Sequence, residues 1–504
     1  MSNEEFIERR IIVGLIVDTP YIREMSKNWN SKFLESSVAR LLASWCFDYF
    51  AKYNCAPKKD IEGIYTAQIK NLDKERAEDI EEILSNLSHE YEREQFNSPY
   101  LLDQTKVYFH ERHLSLHTAE LQSLVDAGNL SEAELFAASY KPIEIDTENT
   151  IDPFTSANKI KNAFAAREAP LIRFGGALGE FWNQEMTRDA FVALMGPEKR
   201  GKTWMLIDIA MRANRSGCNV VFFQAGDMSE EQYLLRQSIY LTKHPHRKKY
   251  CSDVWVPVLD CLENQLDTCD REEREGLGGI FEAEEERNFS TLQEAAKVNP
   301  DYKVCRNCKE ITGAPWLRLN PSTTPLTWKE AYKATRKWRM KYKKQFRLST
   351  YANETLCVSE MNTKMDTWEK QEDFIPDVIL LDGADLLTSD PDMRGIDWRN
   401  RQNMIWQRLR AMSQQRHCLV ITVTQAAASS YGKELISLMD FSEDKRKYGH
   451  VTALYGLNHT DEEKRIGIMR INAIVVREDD FDSNKPVHIL RRLQIGRPVL
   501  ESYA

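Results

Sequence analysis

Eight consecutive residues have the composition of a phosphate-binding loop. Two glycines let the backbone of this segment curl so that its N–H groups point at a polyphosphate. Lys202 would reach the β- and γ-phosphates, and the Thr203 hydroxyl would ligate Mg²⁺. The segment therefore predicts a nucleotide site, and the alternative is an ordinary glycine-rich loop. Its residues are Gly196, Pro197, Glu198, Lys199, Arg200, Gly201, Lys202 and Thr203.

Three polar residues, each following an apolar run, are candidates for hydrolytic chemistry. Asp382 ends the run 376–382 and could hold Mg²⁺ through water, or it could cap the next helix. Asp227 follows the run 220–224 and could polarise an attacking water. Spacing alone supports equally the alternative that Asp227 caps a helix beginning near Ser229. Gln425 follows the run 418–424 and could sense the γ-phosphate, or it could be a surface amide.

Two further sets of basic residues could act at a distance from this loop. Arg477 ends the apolar stretch 471–476 and could reach a neighbouring subunit's nucleotide; spacing alone favours a surface arginine paired with Glu478 or Asp479. Loops expected after the Asp382 and Gln425 strands carry residues placed for DNA contact: Arg394, Arg399, Arg401, Lys433, Lys445, Arg446 and Lys447. A third basic run, 333–347, mixes cations with aromatic residues and could bind nucleic acid. Charges on every side of a helix more often form a solvated face.

Cysteines mark an insertion, 245–330, that is polar and has little periodicity. Cys305 and Cys308 form a CxxC pair, and Cys261 and Cys269 could complete a tetrahedral zinc site. A structural zinc, at roughly 10–16 kcal/mol, would supply the stability that so polar a segment lacks. The alternative is four unrelated thiols, with Cys251 a substitute ligand.

The elements that position these residues indicate two domains. Residues 1–140 have helical periodicity and predict a helical N-terminal domain with a hairpin, and 141–170 predict a linker containing a short helix. Residues 171–504 alternate short apolar strands with helices, which predicts an α/β P-loop ATPase domain with a mostly parallel sheet and an antiparallel extension. The expected strands are the leading run 190–195 and then 219–223, 378–382, 419–423, 452–457, 467–476 and 487–494.

Bulk composition limits the class of protein. The chain has 504 residues, of which 42% are hydrophobic and 29% charged, as in a globular protein. Its net charge of −9 confines any nucleic-acid contact to local basic patches. We find no secretory signal and no apolar run of the ~20 residues that a membrane span needs. We therefore expect a cytoplasmic protein, bacterial or viral in a host cytoplasm, whose ten cysteines are thiols or metal ligands.

The order of these parts resembles the DnaB-type replicative DNA helicases over nearly the full length. The segment 191–203 matches the family's first motif, and Asp382 falls on its Walker B aspartate. The segment 222–229 with Gln232 and Arg236 resembles the strand and helix that carry the catalytic carboxylate. Gln425 matches the sensor glutamine after the helix around 407–410, and Arg477 matches the finger arginine. The region 447–458 resembles the DNA loop more loosely, and 1–140 and 154–167 resemble the N-terminal domain and linker helix.

The resemblance implies a RecA-like fold and a homohexameric ring that unwinds duplex DNA while translocating on single-stranded DNA. It implies ATP and Mg²⁺ between subunits, with Arg477 supplied by the neighbour, and a primase and a helicase loader as partners. Three departures stand against it: Asp227 replaces the usual glutamate, Val475 stands where lysine is frequent, and the cysteine-bearing insertion is additional. The insertion favours an origin in a phage or mobile element.

Two other functions fit the same motifs. A RecA-like DNA-dependent ATPase acting as a recombination or loading factor would share the P-loop and Walker B residues without unwinding DNA. A nucleotide-binding regulator would have no salt-dependent affinity for single strands.

Overall fold

The computed structural model contains two compact units, Met1–Arg167 and Glu168–Ala504. None of the helices among the described residues is both long and apolar enough to cross a membrane. The described residues are 3–26, 29–69, 72–74, 76–81, 84, 97–129, 132–133, 136–137, 154, 160–161, 170–271, 276, 278–308, 311–393, 395–441, 445–477 and 480–504.

The first unit is helical, as the sequence periodicity predicts, and it has its own hydrophobic core. Ile11, Leu15, Leu42 and Phe109 are buried together, because apolar residues spaced three and four apart share one helix face. The second helix of the predicted hairpin and the linker helix lie almost entirely outside the described residues. The helices are α1 (Asn3–Val17), α2 (Thr19–Met25), α3 (Ser37–Tyr53), α4 (Asp60–Gln68) and α5 (Ser98–Asp126).

The second unit is built on a nine-stranded mixed sheet with a separate hairpin. The sheet order is β11-β10-β9-β8-β1-β7-β6-β2-β5, and β3 pairs with β4 alone. The strands are β1 (Phe191–Gly196), β2 (Val220–Ala225), β3 (Val254–Cys261), β4 (Gly313–Asn320), β5 (Phe346–Tyr351), β6 (Val378–Asp382), β7 (Leu419–Gln425), β8 (Ala453–Asn458), β9 (Ile468–Val476), β10 (Val487–Arg492) and β11 (Arg497–Tyr503).

Six neighbouring strands of this sheet, from β8 to β5, run parallel, and β9 to β11 extend it antiparallel. The carboxyl ends of the six therefore share one edge, which carries the P-loop. The helices of this unit are α6 (Gly176–Trp182), α7 (Lys202–Arg215), α8 (Glu230–Thr242), α9 (Leu262–Leu266), α10 (Phe289–Val298), α11 (Trp328–Lys341), α12 (Val358–Glu372), α13 (Trp398–Gln415) and α14 (Asp461–Ile466).

Both faces of the sheet are covered, which explains why its central strands read as continuous apolar runs. Val192 and Leu194 of β1 face one core, and Phe191 and Ala193 face the other. All six residues of β1 are buried. The fold class expected from the sequence, a helical N-terminal region followed by a RecA-like α/β domain, is confirmed.

The insertion is stabilised differently from the zinc module that the sequence predicts. None of the described residues form a cluster of three or more potential metal ligands, although Cys261, Cys269, Cys305 and Cys308 are all among them. The four cysteines are free thiols. The zinc prediction therefore has no support. The insertion is stabilised by the packing of its own apolar side chains, which the sequence analysis underestimated.

These apolar side chains form a small core that is shared with the main sheet. Leu292, Trp316 and Leu317 of the insertion pack with Ile468 and Leu490 of β9 and β10. The β3–β4 hairpin, which the sequence analysis missed, supplies the frame for this core. Because the insertion packs against the main sheet, it does not need to fold by itself.

A buried carboxylate, Asp260, organises the loops around this core. It accepts hydrogen bonds from the backbone N–H groups of Cys261 and Cys305, each at 2.8 Å, and from the Tyr302 hydroxyl at 2.7 Å. The Asn264 side-chain amide donates both to Tyr302 and to Asp260. One acceptor thus ties together the chain segments that the zinc ion was expected to join.

We expect Asp260→Ala to destabilise the insertion strongly. The change leaves two buried backbone N–H groups and a phenol without their acceptor, at about 1–3 kcal/mol for each group. Hydrogen exchange of the segment 254–320 measures the loss, and the exposed Asp301→Ala is the matched control. Unchanged protection in Asp260→Ala, or loss of protection on adding a zinc chelator to the wild type, would contradict this account.

Candidate nucleotide site

The P-loop joins the end of β1 to the start of α7, as the sequence predicts. Gly201 has φ +93°, a conformation that side-chain-bearing residues rarely adopt. A Cβ at Gly201 would also lie 3.2 Å from Nη1 of Arg491. Glycine is therefore required at the turn into the helix, where the backbone N–H groups of the first helical turn would be directed at a bound anion.

Lys202 is folded against the loop that precedes it. Its Nζ donates to the carbonyls of Gly196 at 2.6 Å and Pro197 at 3.1 Å. Burial lowers the pKa of its ammonium, and the negative charge of Asp382 is the largest opposing influence. A partly buried ammonium held by neutral carbonyls attracts phosphate oxygens, which carry negative charge.

Asp382 ends β6 inside the protein, directly beside the P-loop helix. The pKa of its carboxyl is raised to about 6, because burial and the negative charge of Asp227 raise it by more than the Thr203 and Gln224 side chains lower it. Its Oδ2 is buried and has no hydrogen-bond partner among the described residues. A desolvated oxygen without a donor is an incompletely satisfied ligand, a state that a cation or its water relieves.

These residues fit the Mg²⁺ expected from the sequence. Thr203 offers a hydroxyl and Asp382 a carboxylate, and hard oxygen donors are what Mg²⁺ prefers, with its remaining positions filled by water and phosphate. When bound, the ion would neutralise charge on the phosphates.

Asp227 lies at the same edge of the sheet, just beyond the end of β2. Its charge raises the pKa of Asp382 and opposes the lowering of the Lys202 pKa, so the three groups are close enough to interact. Gly226 before it has φ +102°, and a Cβ there would lie 2.7 Å from Cα of Asn353. The chain can make this turn only with glycine, which brings the exposed Asp227 to the site.

The alternative for Asp227, a helix cap, is filled by another residue. Ser229 caps α8: its Oγ accepts from the N–H of Gln232 at 3.3 Å, and the Gln232 side chain accepts from the Ser229 N–H at 3.2 Å. The carboxylate of Asp227 is thus not engaged in capping. Its catalytic role stays a prediction.

Gln425 is exposed at the end of β7, where its Cα pairs in register with Gly196 of the P-loop. Its backbone N–H donates to Asp385 at 3.2 Å, and the Thr424 hydroxyl donates to the same oxygen at 2.6 Å. Asp385 also forms an ion pair with Lys447 at 2.9 Å. One carboxylate after β6 therefore connects the end of β7 to the segment 445–450.

Lys447 is fully buried in this arrangement, over the ring of Trp406. Its ammonium is not presented to a DNA strand, which contradicts the prediction that Lys447 contacts DNA. The residue instead holds the segment 445–450, in which the Arg446 side chain is exposed. A lysine that is desolvated this completely requires its carboxylate partner, a requirement invisible in the local sequence.

The other predicted DNA contacts are dispersed. Arg399 is exposed at the start of α13, whereas Arg401 is half-buried and donates to the Ser389 hydroxyl at 3.3 Å. Lys433 forms an ion pair with the buried Asp440 at 2.6 Å. Arg394 and the side chain of Lys445 lie outside the described residues. Their contacts with DNA stay predictions.

Arg477 lies at the opposite edge of the sheet from the P-loop. β9 runs antiparallel to β8, so its last residue, Val476, pairs with the first residue of β8. The exposed guanidinium of Arg477 donates to the Gly449 carbonyl. Since β8 is parallel to β1, this end is the one where β1 begins, and Arg477 is remote from its own chain's P-loop.

Sequence reasoning missed the residues that hold the P-loop from outside. The Arg200 guanidinium contacts His459 Nδ1 at 2.6 Å and donates to the Tyr431 carbonyl at 3.1 Å. Burial lowers the pKa of His459 to about 3, so the imidazole is neutral and can accept from Arg200. Arg491 of β10 donates to the Arg200 carbonyl at 2.8 Å. These links connect the loop to the strands β8 and β10.

Two more site residues belong to β2 and α8. Gln224 is fully buried and is the register partner of Asp382. Arg236 lies over the ring of Trp204, and burial lowers its pKa while the charge of Asp382 raises it. A glutamine in an otherwise apolar strand is a signal that could have been recognised from the sequence.

Comparisons with known proteins give matches among solved structures. No protein-family model and no curated protein sequence matches the chain. The structure of an isolated ATPase domain matches with a TM-score of 0.45 and 11% identity, over 70% of this chain and 100% of that one. The structure of a DnaB-like replicative helicase, described with its interactions with primase, matches with a TM-score of 0.43 and 11% identity, over 98% of both chains.

Proposed function

We propose that this protein is an ATP-dependent replicative DNA helicase that acts as a homohexameric ring on single-stranded DNA. The observation that carries the proposal is that the residues predicted to be catalytic lie at two opposite edges of one sheet. Lys202, Thr203, Asp227 and Asp382 converge beside the P-loop, while Arg477 lies at the far edge. An arginine that cannot reach its own nucleotide is suited to a neighbour's, as in a head-to-tail ring.

In this proposal each group has one task. Lys202 neutralises charge on the β- and γ-phosphates, and Asp227 orients and polarises the attacking water. Thr203 and Asp382 hold Mg²⁺. The neighbour's Arg477 stabilises the charge that develops as the γ-phosphoryl group leaves.

The contacts of Asp385 supply a route from hydrolysis to DNA movement. Its carboxylate joins Gln425, which is level with the P-loop, to Lys447 in the segment 445–450. A change at the γ-phosphate that shifts the end of β7 would therefore also move the loop that carries Arg446. Movement of such loops in sequence around the ring would draw the strand through it.

Strand displacement on a forked duplex tests the proposal. We expect the wild-type protein to release the labelled strand only with ATP and Mg²⁺, and to have the mass of a hexamer with nucleotide. DNA-stimulated ATP hydrolysis without strand release would instead favour a recombination or loading factor. ATP binding without salt-dependent affinity for single strands would favour a nucleotide-binding regulator.

A further inference from the structure

The helix α11 is an exposed cationic surface that the nucleotide site does not use. The segment 328–344 contains eight lysine or arginine residues and one glutamate, within a chain of net charge −9. None of the α11 side chains is buried. The outer face of the helix carries Lys329, Lys333, Arg336 and Lys337, all exposed.

The opposite face of α11 holds it to the domain. Trp338 packs against the main core and donates from its indole to the Asn214 side chain at 2.9 Å. Arg339 donates to the Lys343 and Lys344 carbonyls and so closes the end of the helix. Asn214 also donates to the Lys344 carbonyl at 3.1 Å. The cations are therefore presented on a fixed element.

Exposed aromatic and apolar side chains accompany these cations. Trp328 is 73% exposed, Tyr332 59% and Met340 71%. A helix whose outer face served only solubility would not need large rings there, because each exposed ring costs hydration free energy. Cations interleaved with exposed rings are the composition of surfaces on which single-stranded nucleic acid binds, with phosphates on the cations and bases on the rings.

The charges on this face are not neutralised by the protein. Among the described residues, no ion pair involves Lys329, Lys333, Arg336 or Lys337. Glu330, the helix's one carboxylate, is engaged at the N-cap, where it accepts from the Thr327 N–H at 2.9 Å and from its hydroxyl at 2.7 Å. Those hydrogen bonds lower the pKa of Glu330. The helix is therefore free to attract a polyanion.

The C-terminal end of α11 lies away from the P-loop edge. The helix leads into β5, which is parallel to β2 and begins level with Val220, at the edge where the parallel strands start. Its basic end, 341–344, is thus at the opposite edge from the P-loop. α11 is also a different element of the fold from the loops that follow β6 and β7, which carry the DNA contacts predicted from the sequence.

We propose that α11 is a second binding surface for single-stranded DNA, outside the loops at the P-loop edge. It rests on the proposed function only in taking DNA as the polyanion. Lys329, Lys333 and Lys337 follow one another at intervals of about 6 Å along the helix, from a rise of ~1.5 Å per residue. That spacing suits a flexible phosphate backbone, and Trp328 and Tyr332 stack on its bases.

The test compares two full-length triple variants in binding of fluorescent oligothymidylate across a salt series. Lys333→Gln, Arg336→Gln and Lys337→Gln together remove three charges from α11. Lys297→Gln, Lys464→Gln and Lys485→Gln remove three exposed charges elsewhere in the same domain. We expect the α11 variant to bind about 10- to 50-fold more weakly, and its salt slope to fall by about 2. The control variant should match the wild type.

A second variant tests the aromatic contribution. Trp328→Ala with Tyr332→Ala should weaken oligothymidylate binding about tenfold or more while leaving the salt slope unchanged. If both α11 variants bind as the wild type does, the surface does not contact DNA. Weakened binding of the charge variant to vesicles rich in phosphatidylserine, or to polyglutamate, with unchanged binding to oligothymidylate, would overturn the choice of partner.

Failure of this inference is distinguishable from failure of the proposed function. Wild-type protein that hydrolyses ATP in response to DNA, together with an α11 variant of unchanged affinity, rejects the inference alone. Wild-type protein without DNA-stimulated hydrolysis rejects the helicase, while a loss of oligothymidylate binding in the α11 variant would still support the surface.

Discussion

The Lys202→Ala variant is expected to lose ATP turnover by on the order of 10²–10³-fold, the effect of removing one preorganised charge donor from a transition state. The ammonium is desolvated between the carbonyls of Gly196 and Pro197, and burial lowers its pKa. Because Lys202 is partly buried, its charge acts on phosphate oxygens with less screening than in bulk water. Nucleotide binding should also weaken, since Lys202 would contact the bound phosphates before reaction.

Steady-state hydrolysis and binding of a fluorescent ATP analogue measure the two effects separately. Lys297→Ala is the matched control, because it removes one exposed lysine of the same domain far from the P-loop in sequence. A Lys202→Ala protein that hydrolyses ATP at the wild-type rate would remove the P-loop from the proposed mechanism.

Local patterns were sufficient to predict much of the architecture and of the nucleotide site. The strand preceding the P-loop, the strand ending in Asp382 and the strand ending near Gln425 all read as apolar runs, because parallel strands are covered on both faces. Because these runs were expected to form one sheet, Asp382 was predicted to lie beside the P-loop. An antiparallel extension of the sheet was predicted, and β9 and β10 were among the expected strands, but β11 was not.

The missed features depend on contacts between residues distant in sequence. β3 and β4 are half-buried and contain Pro257 and Pro315, so their apolar content is diluted and the hairpin resembles a polar loop. The zinc prediction rested on cysteine spacing, whereas Asp260 joins segments more than forty residues apart through backbone N–H groups. Lys447 lies in a basic run that reads as a DNA loop, and only its pairing with Asp385, 62 residues earlier, explains its burial.

Replacing Arg477 with alanine is expected to leave ATP binding intact and to lower hydrolysis by roughly 10³–10⁵-fold, the contribution of an arginine finger in other P-loop enzymes. Arg477 is exposed, and in its own chain it contacts the Gly449 carbonyl at the edge opposite the P-loop. Its removal therefore leaves the local nucleotide contacts unchanged. Arg465→Ala, which removes an exposed arginine from α14, is the matched control.

Mixing the two inactive proteins separates a shared site from one built by a single chain. In a head-to-tail ring of Lys202→Ala and Arg477→Ala subunits, some interfaces combine an intact P-loop from one subunit with an intact arginine from the next. With equal random mixing about a quarter of the interfaces are complete. The mixture should therefore hydrolyse ATP at a rate that approaches about a quarter of the wild-type rate. Each protein alone should stay inactive at the same total concentration. A mixture as inactive as its components, or Arg477→Ala protein that retains DNA-stimulated turnover, would exclude Arg477 as the group supplied by the neighbouring subunit.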